Sequence, residues 1–497
     1  MSGEKSAAII GAGIGGIATA IYLAKNGYKV DVYEKNSTPG GRCSQLIYEG
    51  HRFDLGATMI MMPGIYKEIF SSLGIPFLQN NDIKPLEDLY RIYFDDNEFI
   101  TFSTDENKMM SELERIESGS FEKSKKYVSD GYKIFKTGIN DLIDRNFYNL
   151  FQFINFKNIG LLIKLKTYIS NYRYVKKFFR HPHLRMAYTF QNIYLGQSPL
   201  NSPALYSMVP AAELTEGSFF PTGGMFKIID ILQTEAISSG VMFHYNMPVS
   251  TISVNKEKAE KIIFENGTEI KADIFVANAD LPYVYRRLLP GKWRSEKIER
   301  MRYTCSAISY HWGLDKVYPQ LAHHNVFLSD DFRNGLDRIF KDKSVGDNPS
   351  FYVHAPSRTD PSAAPDHHDT LSIIVAAGHV DKKKNQDWDF LKKKARVAVL
   401  KRLTQLGLEN IEGHIKFEIC NTPESWENVC NISRGSVFGS LAHNILQMGY
   451  FRPHNNHPRY RNLYFVGGST HPGNGIPNVL ISAKLTAERI LKKQSFF

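Results

Sequence analysis

Ser6-Ala-Ala-Ile-Ile-Gly11-Ala-Gly13-Ile-Gly15-Gly16 and, one helical run later, Lys29-Val-Asp-Val-Tyr33-Glu34 decide how the chain begins to fold. Residues 6–10 are a short apolar run and read as a buried strand. Residues 17–26 have helical spacing and stop at Gly27, and residues 29–33 read as a second strand. Between the first strand and the helix the glycines fall as G-x-G-x-x-G. Gly11 permits the tight turn, Gly13 lets backbone approach a pyrophosphate, and Gly16 lets helix and strand pack closely, with Gly15 adding a further small position. The free N–H groups and the dipole of the helix start favour phosphate there. Glu34 lies 18 residues past Gly16, at the end of the second strand, where a carboxylate accepts hydrogen bonds from both ribose hydroxyls. The glycine pattern alone is weak. A strand before it, a helix after it and the acid beyond make it a dinucleotide-binding unit.

A nicotinamide and a flavin dinucleotide would both suit that unit. The sequel Glu34-Lys-Asn-Ser-Thr-Pro-Gly40-Gly41-Arg42 separates them, because two glycines and an arginine bring backbone and a cation back towards the pyrophosphate. This stretch resembles the flavin-containing amine oxidase and phytoene desaturase superfamily, in which a G-G-[RK] element follows the ribose glutamate. Phe53-Asp54-Leu-Gly56-Ala-Thr matches it too. At the far end, Asn462-Leu-Tyr-Phe-Val-Gly467-Gly468-Ser-Thr-His471-Pro-Gly473-Asn-Gly475-Ile476-Pro477 resembles the C-terminal flavin motif of bacterial and fungal carotenoid desaturases. The resemblance implies that this loop sets backbone amides and a helix N-terminus beside the flavin ring and ribityl chain. Phe220-Pro-Thr-Gly223-Gly224-Met, Gln320-Leu-Ala-His-His-Asn325, Tyr352-Val-His-Ala-Pro-Ser-Arg-Thr-Asp360 and Tyr450-Phe-Arg-Pro-His-Asn455 match the desaturase group specifically. The matches run from residue 7 to 491 and are nearest to the fungal type. They imply FAD as cofactor, a polyene lipid as substrate, and Val249, in Pro248-Val-Ser-Thr-Ile, as a backbone contact to adenine. One departure is the end of the sequence, Lys492-Lys-Gln-Ser-Phe-Phe497, which lacks the hydrophobic extension fungal relatives often carry. Membrane attachment is expected from elsewhere.

At 497 residues the chain exceeds what one core usually organises. The expected fold is α/β: a Rossmann-like FAD-binding domain (GR2-type flavoprotein) with an inserted α+β substrate domain. The FAD domain is assigned to 1–105, 226–281 and 431–497, and the substrate or membrane-facing domain to 106–225 and 282–430. Within this plan Asn266-Gly267 marks a hairpin, residues 272–278 read as a parallel strand returning to the first sheet, and residues 462–466 read as another. Strands are also predicted at 307–312 and 371–376, and helices at 390–406 and 479–491.

A hydrophobic content of 42% and a charged content of 23% suit a globular enzyme. Cys43, Cys305, Cys420 and Cys430 show no C-x-x-C spacing, which argues against a disulfide scaffold or zinc site and fits a reducing compartment. Four glycines interrupt the apolar run 7–24, so it does not read as a signal peptide, and no later run is long enough to span a bilayer. The protein is expected on the cytoplasmic side as a peripheral membrane protein. The net charge of +10 is interleaved with aromatics, densest from Phe121 to Arg180, and no nucleic-acid module accompanies it. Phe147-Tyr-Asn-Leu-Phe-Gln-Phe-Ile-Asn-Phe and the residues after it, with Lys157, Lys164, Lys166, Arg173, Lys176 and Lys177, suit a surface that dips into a leaflet.

A flavin beside a hydrocarbon asks little of side chains. Hydride leaves an allylic carbon, a proton leaves its neighbour, and the protein supplies orientation and an apolar tunnel. The absence of a Ser-His-Asp or Cys-His set agrees with that. His354 and His471 are the candidate bases, with Glu213 and Asp54 behind them. His323-His324, His367-His368 and His181-Pro-His183 invite a metal, but adjacent residues point apart on regular structure and no zincin spacing accompanies them, so none is expected. The motifs leave open whether the substrate is phytoene or a C30 analogue. They equally allow a terminal oxidase or a saturase-like enzyme, and oxygen or a quinone as electron acceptor. A non-catalytic prenyl-protein carrier of the same fold is the remaining alternative; the complete flavin set from Glu34 to Pro477 argues against it.

Overall fold

The computed structural model describes residues 5–77, 82–291 and 293–494, with the side chains at 157, 293, 294, 493 and 494 excepted. Lys157 and the last three residues of the sequence therefore lie outside the account below, at least as side chains.

Five parallel strands make the first sheet. Lys5–Ile10 lies at its centre, flanked on one side by Tyr28–Tyr33 and Met242–His244 and on the other by Ile274–Ala277 and Leu463–Phe465. Ala7 through Ile10 are all buried, as a strand covered on both faces requires. The helices Ile14–Ala24, Lys227–Ser238 and Ile476–Gln494 pack together on one face, closing a core around Ile9, Ile17, Val32 and Leu480. The sheet thus takes its strands from three separated stretches of sequence. The first helix begins three residues earlier than its spacing suggested. Gly13 is its N-cap and Gly15 and Gly16 form its first turn, so the glycine run is the helix start itself.

The second sheet has seven strands. Their order is Ile415–Asn421, Ser306–Leu314, Asp369–Ala377, Phe351–His354, His324–Phe327, Asp88–Tyr93, Phe99–Ser103. Only the pairing of His324–Phe327 with Asp88–Tyr93 is parallel. Trp388–Gln405 covers one face, burying Trp388, Leu391, Val399 and Leu403 against Trp312, Ile373 and Val375. The boundary placed at residue 105 needs correction. Asp88–Tyr93 and Phe99–Ser103 belong to this second sheet, not to the nucleotide-binding half. The partner of Asp88–Tyr93 lies more than 200 residues away, and no local signal names it.

The hairpin at Asn266-Gly267 forms as expected: Lys258–Phe264 pairs antiparallel with Glu269–Lys271 and with Val249–Asn255. Helices Glu106–Ile116, Ser120–Gly138 and Met208–Glu216 build the layer beside the second sheet. Asp105 caps the first of these, accepting from the backbone N–H groups of Asn107 and Lys108.

Candidate active site

Four strands of the parallel sheet end at one edge, and each passes its next residues to one cavity of about 660 Å³. Ligands in open α/β sheets sit at such carboxyl edges. The Lys5–Ile10 strand delivers Gly11 and Gly13, Tyr28–Tyr33 delivers Glu34, Ile274–Ala277 delivers Asn278 and Asp280, and Leu463–Phe465 delivers Gly467 and Gly468.

Gly11 has φ +101°, a left-handed turn that glycine tolerates best. A Cβ on Gly16 would stand well under 3.0 Å from the Gly11 carbonyl oxygen, and one on Gly15 would press on Val466 and Val479. Gly16 is therefore a packing position, while Gly13 and Gly15 border the cavity, with the Asn278 amide close to both. Glu34 is buried. Its Oε2 accepts from the Ala12 N–H at 2.8 Å and its Oε1 from the Asn36 N–H at 3.0 Å, so it pins the glycine turn. Each oxygen keeps a second lone pair for a hydroxyl. Gly40 donates its N–H to the Ala12 carbonyl at 2.9 Å, which lays Gly40 and Gly41 against Gly13. The Arg42 guanidinium donates to the Val437 carbonyl and lies against Gly468, joining the two ends of the chain. Val249 borders the cavity beside Glu34.

Gly475, with φ +90° and no atom within 4 Å of where a Cβ would stand, leaves the cavity clear in front of Ile476 and Pro477, the first turn of the last helix. The 450–455 motif is the clamp on this loop. Arg452 is buried and donates to the carbonyls of Gly468 and Thr470 and, on its other side, to those of Leu441, Ala442 and Gln447. Burial pulls its pKa down only to about 10, so it stays charged at neutral pH. Asn455 donates to the His471 carbonyl at 2.9 Å. Beyond the loop the cavity runs on between Phe190, Ile193, Val326, Leu328, Ile374 and Ala376, a mainly apolar wall interrupted by Tyr194, Ser309 and Tyr352.

Neither predicted base reaches this cavity. His471 is buried and its Nε2–H donates to the Arg145 carbonyl at 3.0 Å; burial depresses its pKa to about 3. His354 is wholly buried beside His323 and His324, and burial holds it well below the usual histidine range. Asp54 accepts from the Met225 N–H at 2.9 Å and anchors the turn at Gly223-Gly224, its pKa pushed up to about 7 by burial. Glu213 accepts the Tyr90 hydroxyl at 3.0 Å and stands near Tyr194, which does border the cavity. Burial raises Glu213 from its ordinary 4.5 to about 8, so at neutral pH it is an acid and not a ready base. Because its folded value lies above its unfolded one, its contribution to stability is whole below about pH 4.5 and is lost as pH climbs through about 8. Glu213→Gln keeps the shape without the titration. Its stability relative to the parent protein is expected to improve by on the order of 3 kcal/mol from about pH 5 to about pH 8, measured by urea unfolding. A constant difference would show that Glu213 is ionised when folded.

Sequence reasoning missed Asn278, Asp280 and Tyr194. The first two had a usable signal, since they follow a predicted parallel strand at its carboxyl end. Tyr194 had none, because it enters from a turn in the helical layer.

The glycine cradle, the doubly tethered carboxylate and the cleared helix start suit a dinucleotide's pyrophosphate, ribose and ring in that order. The flavin containing amine oxidoreductase family matches residues 14–491. The chain belongs to that family. It is 38% identical to a zeta-carotene-forming phytoene desaturase of Myxococcus xanthus, over 97% of this chain and 93% of that one. It is 38% identical to a phytoene desaturase of Phycomyces blakesleeanus, over 99% and 86%. A solved triple mutant of putrescine oxidase shares the fold, with TM-score 0.64, 13% identity and coverage of 98% and 99%. The protein is an FAD-dependent oxidoreductase.

Proposed function

We propose that this flavoenzyme dehydrogenates a long polyene, phytoene or a close relative, stepwise to more conjugated carotenoids. The observation that carries the reading is one continuous cavity with a dinucleotide cradle at one end and an apolar gallery at the other. In this reading Glu34 holds the ribose, Gly11, Gly13, Gly15, Gly40, Gly41 and Arg42 hold the pyrophosphate, and Val249 meets adenine. Gly467, Gly468, Gly475, Ile476 and Pro477 border the ring, and Gly16 keeps the helix seated.

Bound flavin supplies an acceptor for the hydride that leaves an allylic C–H bond. The chain's task is to present that bond and exclude water. The gallery, mainly apolar, holds a hydrocarbon by dispersion and hydrophobic burial. Phe190, Tyr194 and Phe332 offer ring faces beside the path, where positive charge on the substrate is favoured. The proton then lost comes from a carbon acidified by that charge, so a strong base is unnecessary.

A carotenoid precursor resides in the bilayer, and the surface supports collection from it. Among the described residues, Phe151 is 83% exposed, Phe156 96% and Tyr168 72%, with Ile154, Ile159 and Ile163 beside them on the short helices Leu150–Phe153 and Phe156–Lys164. Lys164, Arg173, Lys176 and Lys177 are exposed around them. Lys166 is not free for lipid, being engaged by the Tyr174 hydroxyl at 2.6 Å and by Asp130. The helix Phe332–Asp337 links this face to the gallery: Phe332 and Leu336 line the cavity, while Arg333 and Asp337 share a surface groove with Arg173 and Lys176. Among the described residues no helix is long and apolar enough to cross a membrane. In this reading the enzyme works at a membrane surface and passes its electrons to oxygen or a quinone.

The test is purified flavin-loaded protein mixed with anionic vesicles carrying phytoene. It is expected to co-sediment with them, less so at high salt, and to yield coloured products. The variant Phe151→Asp/Phe156→Asp is expected to lose roughly 10-fold or more in vesicle binding with its flavin retained. Unconsumed phytoene despite bound flavin would remove the desaturase reading, and unchanged vesicle binding in the variant would remove the docking face.

A further inference from the structure

We propose that His323, His324 and His354 form a binding site for one divalent transition-metal ion, zinc above all. The proposal is independent of the substrate reading, since none of the three lines the cavity. Strand pairing brings together histidines that adjacency in sequence would set apart. His324 and His354 stand directly opposite each other on antiparallel strands, so their side chains share a face. His323 precedes the strand, in a turn held by Asn325 accepting from the Ala322 N–H, and so is free of the alternation that separates neighbours on a strand. The three rings each bring one nitrogen to within 4.8 Å of the others.

The separations suit a shared ion. The Nε2 atoms of His323 and His354 are 3.1 Å apart. Two imidazole nitrogens on one tetrahedral zinc, each at about 2.0 Å, stand about 3.3 Å apart. The outer nitrogens of two of the rings are already engaged, His323 Nδ1 with Thr359 Oγ1 at 2.7 Å and His324 Nδ1 with the Tyr352 hydroxyl at 2.6 Å, while His354 Nδ1 is buried without a hydrogen-bond partner. Such contacts orient metal-binding imidazoles and leave the Nε2 atoms for the ion. His324 Nε2 is buried with no hydrogen-bond partner, a cost that an ion would remove.

Charge does not forbid it. Arg52 is paired with Asp360, and Arg358 with Asp369 at 2.7 Å, so both nearby guanidinium groups are offset. The Phe220 ring packs on His323 and His354 and closes one side. Three neutral imidazoles and no carboxylate in the set select zinc, cobalt, nickel or copper over calcium or magnesium. The ion would tie the Phe351–His354 strand to the turn before His324, immediately behind Tyr352 in the cavity wall.

The test uses the flavin-loaded protein, equilibrated with zinc, dialysed into metal-free buffer and measured for metal by mass spectrometry. About one zinc per chain is expected, with a melting temperature that rises on adding Zn²⁺. His323→Gln/His324→Gln, accepted as folded if it keeps its flavin absorbance, is expected to lose about nine-tenths of that zinc and the melting response. If the double variant does not fold, the parent protein's zinc content before and after chelation, with the matching melting shift, decides the matter. Parent protein that takes up no zinc or cobalt overturns the site and leaves a hydrogen-bonded imidazole cluster; full zinc retained in the double variant also overturns it.

Discussion

Gly16→Ala is expected to produce a protein without flavin. The Cβ it adds would stand well under 3.0 Å from the Gly11 carbonyl oxygen, a backbone atom with no rotamer to swing away. The clash must be relieved by moving the helix Ile14–Ala24 off the strand Lys5–Ile10, and that shift displaces Gly13 and the helix N-terminus. Overpacking of this kind costs about 1–3 kcal/mol in stability, but the cradle suffers more, because its hydrogen bonds depend on backbone position. Flavin content, read as absorbance near 450 nm (roughly the oxidised ring's band) against protein absorbance, should fall below about a tenth of the parent value. Gly27→Ala is the control. It has φ +79° and open space around its Cβ position, so it carries only local strain of about 1–2 kcal/mol and should stay yellow. A Gly16→Ala protein with normal flavin content would mean that the cofactor does not rest on this turn.

The contrast between those two glycines shows what the sequence could convey. The spacing Gly11, Gly13, Gly16, Glu34 encodes local geometry within one βαβ unit, and the strand, glycine turn, helix and second strand form there. The C-terminal loop was legible for the same reason, being glycines followed by a helix start. What the sequence hid are meetings between distant segments whose local text is ordinary. Asp88–Tyr93 is a short run of ordinary strand-forming residues, and nothing in it names His324–Phe327 as its neighbour. His323-His324 looked like divergent side chains because adjacency was judged on one strand, while the register that puts His354 opposite His324 is a tertiary fact. The catalytic expectation for His354 and His471 failed differently. Both lie in motifs that brace the site and are buried away from the cavity, unlike groups poised to exchange protons with a substrate in it. Arg452 belongs with them: its motif was visible, and its duty of holding the Gly467–Thr470 turn by its carbonyls was not.

Ala376→Phe is expected to separate flavin binding from polyene turnover. Ala307 and Ala376 face each other across paired strands, and both border the cavity, as do Ser309 and Ile374 two residues along. Small side chains here hold the gallery open beyond the cradle. A phenyl ring at 376 projects into that space and not into packed core, so the sheet keeps its register while the path narrows. The cradle residues lie on other strands, so flavin absorbance should stay at the parent level. A hydride donor must approach its acceptor within about 3–3.5 Å, and displacements of about 1 Å cost on the order of 100-fold in rate. Anaerobic reduction of the bound flavin by phytoene in vesicles should therefore slow by at least about 100-fold, with vesicle binding unchanged. Parent-level reduction would place the polyene elsewhere, since a ring across the gallery and an extended C40 chain cannot both occupy it.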